Sequence, residues 1–65
     1  MTREQIRDVR YLVDFGIDSE TAVGMVEHLT RDGHRLGDLC EEDDGRKFVE
    51  VLHRNGRDWA IWPLN

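Results

Sequence analysis

The sequence predicts a small α+β fold: two amphipathic helices, a short third helix and a C-terminal antiparallel β-hairpin, in winged-helix-like order. Three observations carry this. Apolar residues recur at helical spacing in two runs of the first half, each closed by a glycine. β-Branched and aromatic residues crowd residues 46–65. Within that stretch two β-rich runs flank Asn55-Gly56, the strongest short-range hairpin signal.

The first helix begins with Thr2-Arg3-Glu4-Gln5, a capping box in which Thr2 is the N-cap and Gln5 reaches back. Ile6, Val9, Leu12 and Val13 follow as its core stripe, and Phe15-Gly16 ends it, with Gly16 suited to the left-handed C′ position. Arg3, Arg7, Arg10 and Asp14 share an outer stripe, read as a solvated face with the ion pairs Glu4–Arg7 and Arg10–Asp14. The second helix starts at Asp18 or Ser19, with Ile17 stapled against Ala22, and buries Ala22, Met25, Val26 and Leu29. Gly24 interrupts it and suggests the close approach of another element. The helix closes at Arg31-Asp32-Gly33.

Leu36, Leu39 and Cys40 have helical spacing, which predicts the short third helix over residues 35–42; Gly37 leaves an extra strand as the alternative. Asp43-Asp44-Gly45 is turn chemistry. In the hairpin, a three-residue loop Arg54-Asn55-Gly56 would pair Val51 with Trp59 and Val49 with Ile61, gathering four large apolar residues on one face. A two-residue loop would pair Glu50 with Ile61 and mix the faces. Because a buried face fixes register, the first is preferred. A helix over residues 44–55 also fits the spacing of Phe48, Val49, Val51 and Leu52, but the adjacent β-branched residues favour strand.

The chain has 65 residues, nine basic and fourteen acidic, for a net charge of −5. This length makes a single domain, 1–65, that buries only about 60% of its unfolded surface. One cysteine, Cys40, excludes an internal disulfide and fits a reducing, cytoplasmic setting. No apolar run suggests a signal peptide or a membrane span. The acids cluster: Asp38, Glu41, Glu42, Asp43 and Asp44 stand together with no base among them, while Arg46, Lys47, Arg54 and Arg57 make the tail locally basic.

Catalytic signals are sparse. His28, His34 and His53 are scattered, and Cys40 has no second cysteine at zinc-site spacing, so neither a metal nor another cofactor is expected. Cys40 with His34 could be imagined as a nucleophile pair, but a lone cysteine in core phase is more often an apolar filler. The carboxylates of residues 38–44 could offer acid–base pairs, yet a chain this small rarely builds a water-excluding cleft around them. No glycine-rich loop cradles phosphate. No catalytic residue is assigned, and the chain is not expected to be an enzyme.

The first two helices resemble a ubiquitin-associated domain. Leu12-x-x-Phe15-Gly16-Ile17, followed by Ala22 and Met25-Val26, is similar to that family's helix, glycine loop and helix, over about half the chain. Phe-Gly-Ile stands where Met-Gly-Phe is usual, and a hairpin follows. The resemblance implies that Leu36, Leu39 and Cys40 form a third helix and that Phe15, Gly16 and Ile17 contact ubiquitin.

The function expected from the residues is non-enzymatic protein binding by a small acidic inhibitor or adaptor, of the kind a phage or mobile element encodes. Glu41, Glu42, Asp43 and Asp44 would steer it to a basic partner surface, and Phe48, Trp62 and Leu64 would anchor it, with Trp59 in the core. Core packing of Trp62 is the competing reading. The alternative function is a winged helix–turn–helix DNA-binding regulator using Arg35, Arg54 and Arg57, opposed by the acids its recognition helix would present to DNA. A homodimer closed through hairpin edges or the Trp62 face is compatible with either.

Overall fold

In the computed structural model, which describes residues 1–64, the elements are α1 (Arg3–Asp14), α2 (Ser19–Asp32), β1 (Arg35–Glu41), β2 (Lys47–Leu52) and β3 (Trp59–Pro63). The strands form one antiparallel sheet in the order β1-β2-β3. Both helices cover the same face of that sheet: Leu12, Ile17, Ala22 and Val26 cluster against Leu36, Leu39 and Leu64, while Leu29 clusters with Val49 and Val51 against those three residues and Trp62.

The helices start and stop as their sequences dictate. Thr2 Oγ1 accepts from the Gln5 N–H at 3.2 Å, and Gln5 Oε1 accepts from the Thr2 N–H at 2.7 Å, completing the capping box. Asp18 caps α2 by accepting from the Thr21 N–H at 3.2 Å, and Ile17 and Ala22 are buried in one cluster. Gly33 ends α2 at φ 76°, a left-handed conformation in which glycine has no Cβ to clash. In α1 only Leu12 is fully buried and Val9 half-buried; Ile6 and Val13 face solvent. Of the two expected α1 ion pairs, Glu4–Arg7 is present at 3.8 Å, on the surface. A Cβ at Gly24 would meet no other element within 4 Å, so among the described residues none approaches it closely.

The expected third helix is the strand β1. Leu36 lies opposite Val51 and Leu39 opposite Val49, so Gly37 and Asp38 together oppose Glu50 in a β-bulge. The extra residue turns both leucines to the helix side, although in a regular strand residues three apart face opposite ways. Spacing that imitates a helical turn is here a bulged strand, and the winged-helix order has no third helix to support it.

The hairpin takes the register of the two-residue loop, not the one the apolar face predicts. Glu50 pairs with Ile61, Val51 with Ala60 and Val49 with Trp62. The loop is longer than either considered: the His53 N–H donates to Asp58 O at 2.9 Å, enclosing Arg54–Arg57. Asn55 stabilises it, its Oδ1 accepting from the Arg57 and Asp58 N–H groups at 2.9 and 3.1 Å, and Gly56 takes the left-handed position at φ 74°. This one-residue slip inverts the fates of the tryptophans. Trp62 turns inward beside Val49 and Leu29, while Trp59 turns outward.

Lys47 joins the layers. Its Nζ donates to Phe15 O at 2.8 Å and lies 5.2 Å from the Phe15 ring centre, fastening the α1–α2 loop to β2.

Two glycine substitutions should act in opposite directions. Gly24→Ala should raise stability by about 0.5–1 kcal/mol in chemical unfolding, because the helix gains propensity and the methyl has room. Gly37→Ala should lower it by about 1–3 kcal/mol and shift Trp59 emission. A Cβ there would lie 2.5 Å from Trp59 Cζ3 and 3.1 Å from both Cβ and the backbone O of Glu50.

Candidate interaction surface

Alternation along the strands leaves the sheet face away from the helices uncovered by any element among the described residues. Phe48, Glu50 and Leu52 point outward from β2, with Trp59, Ile61 and Pro63 beside them on β3 and Cys40 opposite Phe48 on β1. Trp59 is 55% exposed and Ile61 65%, large values for apolar side chains on adjacent outward positions of one strand. Trp59 does not stand upright. Its ring crosses β2 to reach the space that Gly37 leaves open on β1. Phe48 is half-buried, with the Arg46 guanidinium 5.9 Å from its ring centre.

The two ends of the face carry opposite charge. At one end the β1–β2 turn exposes Glu41, Glu42, Asp43 and Asp44. Asp44 is partly neutralised, pairing with Arg46 Nε at 2.7 Å and accepting from the Arg46 N–H at 3.0 Å. At the other end Arg35, opposite Leu52, joins Arg54 and Arg57 of the β2–β3 loop. Antiparallel pairing therefore gathers each set of charged residues singled out from the sequence at its own end of the sheet.

Trp62 and Leu64, expected as anchors, are half-buried against the helices. Trp62 lies among histidines: its ring centre is 6.0 Å from that of His28 and 6.5 Å from that of His34, and His34 meets His53 edge-on at 4.8 Å. His34 Nδ1 is buried with no hydrogen-bond partner among the described residues. Among those residues no three His, Cys, Asp or Glu side chains come together closely enough to hold a metal ion. Cys40 is exposed, its thiol 3.7 Å from Phe48 O and remote in the sheet from His34.

Two depressions lie elsewhere on the surface. The solvent side of α1 holds a depression of about 420 Å³ lined by Arg3, Ile6, Arg7, Arg10, Tyr11 and Asp14. A groove of about 460 Å³ runs between the start of α1 and the α2–β1 junction, lined in part by Gln5, Asp8, His34 and Arg35. Burial raises the Asp8 carboxyl above its ordinary pKa; Arg7 opposes the rise and Glu4 adds to it. The loop that the ubiquitin-associated resemblance would present is occupied from within: Ile17 is buried, the Phe15 carbonyl is held by Lys47, and the third helix is a strand. No family model, curated protein or solved structure matches the chain, and no helix among the described residues is long and apolar enough to cross a membrane.

Sequence reasoning missed Trp59 and Ile61 as surface residues. The available signal was Gly37: a glycine inside a strand marks a place where another group comes close, and here that group is the Trp59 ring.

Asp8→Asn should stabilise the protein slightly at neutral pH. A carboxyl whose folded pKa is raised contributes most at low pH, and that contribution is lost as pH rises through the folded value. The melting temperatures of wild type and variant should therefore differ at pH 7 and converge below pH ~4, near the unfolded carboxyl pKa.

Proposed function

We propose that this protein is a non-enzymatic binding module, an inhibitor or adaptor, that docks on a partner protein through the outer face of its sheet. The observation that carries this reading is the exposure of Trp59 and Ile61 together on a sheet face that no element among the described residues covers. Tryptophan in such a place offers a large, stiff contact area and is enriched where binding energy concentrates. Phe48 extends the patch towards the acidic turn. That turn would orient an approaching basic surface before contact, which acts mainly on association rate. A cytoplasmic setting, in a cell or in the host of a phage, agrees with a single exposed thiol.

Nucleic-acid binding is the second reading, favoured by the meeting of Arg35, Arg54 and Arg57 at one end of the sheet. It has lost the helix that would enter a groove, and the strand in its place leads into four carboxylates.

Capture from nuclease-treated lysate separates these readings. The docking face predicts a protein retained by wild type and reduced at least ~10-fold by Trp59→Ser with Ile61→Ser. Those outward-facing changes should leave circular dichroism intact. Retention that vanishes with nuclease and with Arg54→Ala plus Arg57→Ala would transfer the function to nucleic acid. With the captured partner in hand, reversal of Glu41, Glu42, Asp43 and Asp44 to lysine should slow association about 10-fold or more at low salt and change dissociation little. Unaltered association kinetics would remove the steering role.

A further inference from the structure

Glu50 is a carboxylate on the central strand of the outer face, with apolar neighbours on its β3 side and Arg35 and Asp38 on its β1 side. It sits on the central strand, opposite Ile61 on one side and the Gly37–Asp38 bulge on the other. The Trp59 ring crosses its flank, since ring and Glu50 Cβ both converge on the open space at Gly37. Among the described residues no cation lies within ion-pair distance of Glu50, and no side chain donates a hydrogen bond to it. Among the described residues the nearby positive groups form no ion pair with Glu50, including Arg35, its diagonal neighbour on the same face. Arg46 pairs with Asp44, Lys47 is turned to Phe15, and Arg35 stands across from Leu52.

This placement restricts what can cover the face. A wholly apolar surface would strip water from Glu50 and return nothing, a heavy penalty for a charge. A second copy of this chain, stacked about a two-fold axis through the centre of the face, would set Glu50 against its own symmetry mate. A cation surrounded by apolar groups meets every requirement. Arginine suits it best, because a planar guanidinium can stack on an indole while its edge donates to a carboxylate.

Resting on the docking reading above, we infer that the outer sheet face receives an arginine-bearing apolar segment of a partner protein, its guanidinium stacked on Trp59 and paired with Glu50. Ile61 and Phe48 take the apolar groups on either side. The carboxylates of the β1–β2 turn supply the approach field, and Glu50 supplies the register.

The test is panning of the immobilised full chain against a phage-displayed library of random short peptides, followed by titration of synthetic peptides from the enriched set. Enriched sequences should share one arginine at a fixed position between apolar residues. Binding should fall at least ~10-fold when that arginine becomes leucine or when Glu50→Gln is introduced. Glu50→Arg should abolish binding, and a peptide carrying glutamate in place of its arginine should restore it. Absence of enrichment, enrichment without a fixed cation, or equal affinity for Glu50→Gln overturns the inference. Sedimentation that shows a dimer lost on Ile61→Ser also overturns it, since the face would then be covered by a second copy. Peptides that need Trp59 and Ile61 but ignore Glu50 would leave the docking face standing and this inference refuted. Peptides indifferent to all three would refute both.

Discussion

The central strand must hide one side and show the other, and the rest of the structure is arranged around that division. Val49 and Val51 on β2 are fully buried, and alternation forces Phe48, Glu50 and Leu52 to the opposite side. Both neighbours conform to this choice by different means. β1 inserts a bulge so that Leu36 and Leu39 each meet a buried valine. β3 adopts the register that places Ala60 and Trp62 beside them, with a loop long enough to permit it. The helices then close over a continuous apolar inner face, and Lys47 secures their connecting loop from the edge of that layer.

Local signals in the sequence were sufficient where the interactions are local. The capping box at Thr2, the Asp18 cap, the Ile17–Ala22 staple and the glycine at the end of α2 all involve residues a few positions apart, and each stands where its sequence indicates. What was not legible depends on a third strand. A two-stranded hairpin viewed alone is most apolar on one face when Trp59 and Ile61 join Val49 and Val51. Once β1 contributes Leu36 and Leu39, and Leu64 extends β3, the inner face is filled with Trp62 instead. The bulge hid that strand by giving its leucines a helical spacing. One misread segment therefore carried the register, and with it the positions of both tryptophans.

The charged residues were legible as groups, while their geometry was not. Glu41, Glu42, Asp43 and Asp44 are contiguous, so any fold would keep them together. Arg35 is distant in sequence from Arg54 and Arg57, and only the pairing of Arg35 with Leu52 brings it to their end of the sheet. The resulting polarity follows from strand order: a meander places its two connections at opposite ends, and here one connection is acidic and the other basic. A partner meeting the face edge-on would experience a field running along the strands, which fixes orientation more than affinity.

Folding and binding are thus assigned to opposite sides of the same strands. A chain of 65 residues has little surplus stability, and every apolar side chain left outside reduces what its core can gain. Trp59 and Ile61 contribute little to the core by facing outward, so their presence there calls for a use that burial does not supply. Substitutions at Val49 or Val51 act through cavities in the core, whereas substitutions at Ile61 act on a surface that water already reaches. Gly37 is the position where the two sides are linked. It belongs to the bulge that directs Leu36 and Leu39 inward, and its missing side chain is the space over which Trp59 lies. Enlarging it would disturb the core register from one side and lift the indole away from Glu50 on the other. The geometry of the binding face is therefore set by the same residue that lets β1 join the fold.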